Sequence, residues 1–351
     1  MYEAYYNFKD KPFRLSPDPR FFYNSRGHKR ALAYLRYGVK QGEGFIIITG
    51  DVGTGKTMLV QTLLRTLDQE NVVAAQVVTT QLQADDLLRL VAASFGLAYQ
   101  RVSKATILRS LEVFFRACLA EGKRVLLIVD EAQGLPRRAI EELRMLSNFH
   151  QGGRTLLQSF LLGQREFRTT MRSEGFEQLR QRVIAAYHLR PLAEDETRGY
   201  IEHRLSACGW QGNPALDPEI FTGVHEFAGG VPRRINTLCD RLLLYGCLEE
   251  LKRIDVSALE AVTADIVNEQ GGGDEATMAP AVTGGSRAEE LDGEWTGSLP
   301  PPAGRLSDGT QPDRLAAVES SVASLADAVR EELSLLRKVL LDRGQGDKPD
   351  S

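Results

Sequence analysis

Cysteine is scarce in this chain. Cys118, Cys208, Cys239 and Cys247 are the only four among 351 residues, and their spacings match neither a zinc site nor a Cys-x-x-Cys redox pair. A fold built on disulfides or zinc is not expected; the four thiols read as reduced core or helix residues. Long apolar runs are also missing, since none approaches the roughly 20 residues of a membrane-spanning helix. The opening MYEAYYNFKDKPF carries charges and aromatics where a secretory signal needs an apolar stretch, so a cytoplasmic location is expected. Nor is there an excess of one charge: 43 Lys and Arg face 47 Asp and Glu, a net of −4, which gives no overall pull toward nucleic acid or anionic lipid. What is present is apolar material, 42% of the chain. That suffices for at least one large core and predicts two folded units.

The stretch GDVGTGKT organises the rest. It follows an apolar run, Phe45 to Thr49, that reads as a buried strand, and it opens into MLVQTLLRTL, whose apolar spacing reads as a helix. A strand, a glycine-rich loop and a helix N-terminus form a phosphate cradle, because glycines let successive N–H groups turn inward and the helix end adds positive potential. The bland alternative is a glycine turn with an exposed lysine. On the phosphate-loop reading, Gly50, Asp51, Val52, Gly53, Thr54, Gly55, Lys56, Thr57 and Met58 line an ATP site. Lys56 reaches the β- and γ-phosphates and the Thr57 hydroxyl holds Mg²⁺.

A second stretch, RVLLIVDEAQ, completes the chemistry. Five consecutive apolar residues make a central strand, and Asp130 and Glu131 stand at its C-terminal edge, where open α/β sheets bind ligands. Asp130 would hold Mg²⁺, directly or through its water, and Glu131 would orient the water that attacks the γ-phosphate. An apolar run ending in Asp-Glu is weak alone and becomes informative beside the upstream phosphate loop.

Around these stretches, strands are expected at 72–79, 156–162 and 184–189, with helices at 84–95, 104–121 and 139–149 and over GFEQLRQRV. The alternation signals a parallel sheet covered on both faces. Gln164, at the end of one strand, either touches the γ-phosphate or its water or merely caps a loop. Before the phosphate loop, prolines in the segment from Tyr5 to Tyr23 predict an extended arm, and SRGHKRALAYLRYGVKQG reads as a helix. That leading segment either covers the base or simply packs through Phe21 and Phe22. After Pro191 the pattern turns to helices alone, and Arg233 lies in the first turn of one of them.

The runs DPRFFYNSRGHKRALAYLRYG, QGEGFIIITGDVGTGKT, LLIVDEAQGLP, EELRMLSNF, LLQSFLLGQ, LRQRVIAAYHLRPL and GGVPRRIN resemble the AAA+ ATPases related to general secretion pathway protein A. In particular they resemble those associated with the PEP-CTERM and exosortase system. The resemblance implies an α/β P-loop NTPase fold of AAA+ type with a helical lid. It implies Lys56 and Thr57 as Walker A, Asp130 and Glu131 as Walker B, Gln164 as sensor 1 and Arg233 as sensor 2. It points to Arg182, with Arg180 as runner-up, as an arginine finger offered to the next subunit of a homo-oligomer. It also implies a protein partner in an export or polysaccharide-assembly machinery, with the chain held at the inner membrane through that partner. Arg165 departs from the family's usual proline after Gly-Gln, and no run here resembles the transmembrane and peptidoglycan-binding regions of larger relatives, so a direct cell-wall role is not expected.

The expected organisation is a nucleotide-binding α/β domain over 1–190, a helical lid over 191–269, a disordered linker over 270–313, a short helix or coiled coil over 314–343 and a disordered tail over 344–351. Leu315, Val318, Val322, Leu325, Val329, Leu336 and Val339 follow a heptad, which is either a partner-binding seam or a solvated amphipathic helix. The function expected is an ATP-hydrolysing motor or switch. The alternative, a nucleic-acid-associated ATPase of the origin-recognition or transposition-regulator type, calls for a helix-turn-helix, winged domain or basic tail, and the acidic linker and overall charge disfavour it.

Overall fold

The computed structural model describes residues 1–67, 71–79 and 84–271. The expected linker, heptad helix and tail lie outside the described residues, apart from the first two positions of the linker. The chain opens with α1 (Tyr2–Tyr6), passes a 3₁₀ turn at Pro19–Phe21 and enters α2 (Arg26–Gln41). There follow β1 (Phe45–Gly50), α3 (Lys56–Leu67), β2 (Val72–Val78), α4 (Ala84–Ser94), α5 (Lys104–Ala120) and β3 (Arg124–Asp130). Next come α6 (Arg137–Leu146), a small hairpin of β4 (His150–Gln151) and β5 (Arg154–Thr155), β6 (Gln158–Gly163), α7 (Arg165–Arg172), α8 (Glu177–Arg180) and β7 (Val183–Leu189). The last part is α9 (Glu194–Ala207), β8 (Ala215–Leu216), α10 (Pro218–Ala228), α11 (Pro232–Leu248), β9 (Arg253–Ile254) and α12 (Val256–Gly271).

The main sheet has the order β2-β3-β6-β1-β7, and every pairing in it is parallel. Its three central strands are buried nearly throughout, which is why they read as unbroken apolar runs rather than as an alternation. Successive side chains of a strand still face opposite ways. Phe45 and Ile47 join Leu127, Val129 and Leu161 under α4, α5, α6 and α7. Ile46 and Ile48 join Leu126, Ile128, Phe160 and Leu162 under α2 and α3. The expected three-layer arrangement is thus present, with the phosphate loop at the C-terminal edge of β1, the strand between β6 and β7.

The four helices α9 to α12 enclose a separate core. Although the sequence groups residues 1–190 together, Tyr2, Tyr6, Phe8, Phe13 and Phe21 are buried in this helical core and not against the sheet. The segment from Tyr5 to Tyr23 is also not wholly extended: Tyr5 and Tyr6 complete α1, which ends at Asn7 in the left-handed conformation, and Pro19–Phe21 form the 3₁₀ turn. Arg204 of α9 holds the arm in place. Its buried guanidinium donates to the Pro12 carbonyl at 2.6 Å and the Arg14 carbonyl at 3.2 Å, and its charge lies 4.7 Å from the centre of the Phe21 ring.

Candidate nucleotide site

The loop between β1 and α3 takes its shape from glycine. Gly53 and Gly55 have φ of 85° and 96°, which side chains with a Cβ rarely adopt. A Cβ at Gly53 would lie 2.6 Å from that of Arg233, and one at Gly55 would lie 2.9 Å from His28 Nε2. Helix α3 begins at Lys56, so the unpaired N–H groups of its first turn face the loop. Lys56 Nζ donates to the carbonyls of Gly50 at 2.8 Å and Asp51 at 3.0 Å. Burial pushes its ammonium down, and the carboxylates of Glu131, Asp130, Asp51 and Glu166 oppose that shift. Val52 is exposed at the loop's tip, whereas Thr54 is buried and ties its hydroxyl back to the Asp51 carbonyl.

One strand over, β3 delivers its two carboxylates to the same edge. The Thr57 hydroxyl donates to Asp130 Oδ2 at 2.8 Å. Burial pushes the Asp130 carboxyl up, against the bonds from Thr57 and from the Glu131 N–H. Glu131 sits in the left-handed region at φ 57°, a conformation that costs such a residue about 1–3 kcal/mol and persists only where the surroundings enforce it. Here they do: Thr79, just after β2, donates its N–H to the Asp130 carbonyl at 3.0 Å and shares its one hydroxyl proton between the Asp130 and Glu131 carbonyls, 2.9 and 2.8 Å away. The Glu131 carboxylate accepts from Gln164 Nε2 at 3.1 Å and from Gln133 Nε2 at 2.5 Å. Burial pushes this carboxyl up, but those two amides and the Lys56 ammonium outweigh it and hold it below the ordinary range.

The candidates therefore divide. Lys56, Thr57, Asp130, Glu131 and Gln164 converge at one sheet edge, and Arg233 joins them, since its backbone N–H donates to the Gly53 carbonyl at 3.2 Å. Met58 lies half-buried in the first turn of α3. Arg182 and Arg180 lie elsewhere. The Arg182 carbonyl accepts from the N–H of Phe45, the first residue of β1, so it stands at the opposite edge of the sheet from the phosphate loop of its own chain. Its guanidinium donates to Ser147 Oγ at 2.6 Å and to Asn148 Oδ1. Arg180 is occupied by the carbonyls of Met171 and Ser173 and by Glu177.

Two residues of this edge escape a reading of the sequence. Gln133 follows Glu131 by two positions, a spacing that carries no motif of its own. His28 sits behind the loop, where its ring bonds the Thr54 backbone and its Nδ1 pairs with Ser25 Oγ at 2.7 Å. A signal exists for it: His28, Ala31, Leu32 and Leu35 share one stripe of α2, so a polar ring points where the helix is otherwise apolar.

The sheet, loop and carboxylate edge define a P-loop NTPase fold of the AAA+ type. Residues 39–171 match the family described as AAA domain. The chain is similar to General secretion pathway protein A of Aeromonas hydrophila, with 38% identity over 245 residues; the match covers 70% of this chain and 44% of that protein, so the chain spans less than half that protein's length. Among solved structures, the chain is similar to the Aeropyrum pernix ORC2 protein in its ADPNP-ADP complexes, with a TM-score of 0.60, 19% identity and coverage of 74% and 72% of the two chains. It is likewise similar to CDC6P from Pyrobaculum aerophilum, with a TM-score of 0.59, 13% identity and coverage of 73% and 71%. At these identities the likeness to both is one of fold. No helix among the described residues is long and apolar enough to cross a membrane.

Proposed function

We propose that the chain binds and hydrolyses ATP with Mg²⁺, and that it works as a motor or switch for bacterial export. The observation that carries the chemistry is the convergence of Lys56, the Thr57–Asp130 pair and the Glu131–Gln164 pair on one sheet edge. A hydroxyl and a carboxylate in contact form a hard oxygen donor set, which suits Mg²⁺. Bound there, the ion would offset charge between the β- and γ-phosphates. The chain's own residues do the rest. Lys56 exchanges its two loop carbonyls for phosphate oxygens, Glu131 orients a water, and Gln164 senses the γ-phosphate. Arg233 adds positive charge from the helical side. In a homo-oligomer, Arg182 serves the neighbouring subunit's nucleotide, with Arg180 as the second candidate.

The export role is supported by the identity to General secretion pathway protein A. Its assignment to a PEP-CTERM and exosortase system, and through it to exopolysaccharide or protein export at the inner membrane, rests on the sequence runs that resemble that group. The chemistry is tested with two variants. Lys56→Ala abolishes binding of a fluorescent ATP analogue, whereas Glu131→Gln retains binding and slows hydrolysis by about 10²-fold or more, because only the water-orienting group is lost. Wild-type turnover in Glu131→Gln removes that residue from the reaction. The export role is tested by capture on tagged Glu131→Gln protein held with ATP: components of a polysaccharide or protein export system are expected, and a nucleic-acid-bound set counts against the role.

A further inference from the structure

We propose that Gln133 is a positioning residue that fixes Glu131 and Gln164 as one unit. Its single side chain spans both: Nε2 donates to Glu131 Oε2, and Oε1 accepts from the backbone N–H of Gln164 at 2.9 Å. The orientation of the amide is set by chemistry, since a carboxylate oxygen only accepts and a backbone N–H only donates. Gln133 lies in a short 3₁₀ turn, Ala132–Gly134, directly after Glu131. The same turn is anchored by Ala132, fully buried in the core beneath the sheet. The amide thus links the end of β3 to the end of β6, two strands whose edges carry the two groups that must meet at the γ-phosphate.

The need for such a link follows from Gln164. Its Nε2 rests on Glu131 Oε2 at 3.1 Å. If that amide turns to a γ-phosphate, Glu131 loses one of its two donors, and the carboxylate stands on a backbone already in the left-handed conformation. The Gln133 contact involves no atom that phosphate needs. It therefore keeps Glu131 in place during the turn, while its carbonyl end holds the backbone from which Gln164 swings. Neither task brings Gln133 into contact with nucleotide, so its removal affects the hydrolytic step and spares binding.

The inference rests on the reading of Glu131 as the water-orienting group, and the experiment separates the two. Wild-type protein, Q133L, Q133E, E131Q and the double variant E131Q/Q133L are compared in thermal melting, in titration with a fluorescent ATP analogue and Mg²⁺, and in single-turnover hydrolysis. Q133L is expected to bind nucleotide within about twofold of wild type and to hydrolyse it about tenfold or more slowly. Q133E is expected to be slower still, because it keeps an acceptor for the Gln164 N–H but sets a like charge against Glu131. The double variant is expected to be slower than E131Q by a smaller factor than separates Q133L from wild type, since Gln133 then has no carboxylate to hold and keeps only the Gln164 backbone. Should Q133L fail to fold, Q133A reads the same comparison. Wild-type turnover in Q133L beside an inactive E131Q overturns the proposal alone, as does a multiplied loss in the double variant. Wild-type turnover in E131Q removes the reading beneath it and the proposal with it.

Discussion

At the scale of single residues, His28 carries a consequence for pH. Burial pushes its imidazole down to about 4, against an ordinary value of 6.5. Between those values the unfolded chain binds a proton that the folded chain refuses, so the stability contribution is complete above pH 6.5 and drains away as pH falls toward 4. The whole effect amounts to about 3 kcal/mol. Denaturant unfolding followed from neutral pH down to about pH 4.5 is expected to show a shallower loss in His28→Gln than in wild type. It does not vanish, because burial also lowers His188 and His203. An identical slope in the variant would assign the acid sensitivity to other groups. His28 also marks the boundary of what the sequence makes legible. Lys56, Thr57, Asp130 and Glu131 stand out because their residue types match phosphate and metal chemistry at a recognisable spacing. A histidine on an apolar helical stripe looks like core, and Gln133 looks like nothing, because each acts through its neighbours.

At the scale of elements, the same contrast separates long from short. The strands β1, β3 and β6 announce themselves because burial on both faces demands unbroken apolar sequence. The hairpin of β4 and β5 does not, with only four paired residues around Gly152 and Gly153. Helix α7 is similarly hidden: REFRTTMR is polar at six of its eight positions, and only Phe167 and Met171 are buried. Its place is set by tertiary contact, where Phe167 packs so closely on Gly163 that a Cβ there would lie 2.8 Å from its own. The arm is a third case, since its prolines foretell an irregular path but not the surface it covers. Arg204→Ala tests what holds it. Loss of the guanidinium leaves the Pro12 and Arg14 carbonyls without their donor, and the expected destabilisation is about 2–4 kcal/mol. Trypsin should then cut between Lys9 and Arg20 well before it enters the sheet. Unchanged stability together with unchanged cleavage would place the docking energy in the aromatic side chains alone.

At the scale of the whole molecule, the position of Arg182 makes assembly a requirement for its use. It stands at the edge of the sheet remote from its own phosphate loop, so any role at a nucleotide is played toward another copy. A mixture of Arg182→Ala and Lys56→Ala proteins is expected to regain part of the hydrolysis that neither parent has, because a mixed contact pairs an intact loop with an intact arginine. No recovery in mixtures shown by cross-linking to co-assemble would rule out a role in trans. The arm adds a constraint of another kind. Its aromatic residues belong to the helical core while α2, a few residues later, lies against the sheet, so the backbone passes from one body to the other near residue 24 and again near residue 191. A fragment ended near residue 191 keeps Tyr2, Tyr6, Phe8, Phe13 and Phe21 with nothing to shelter them from water.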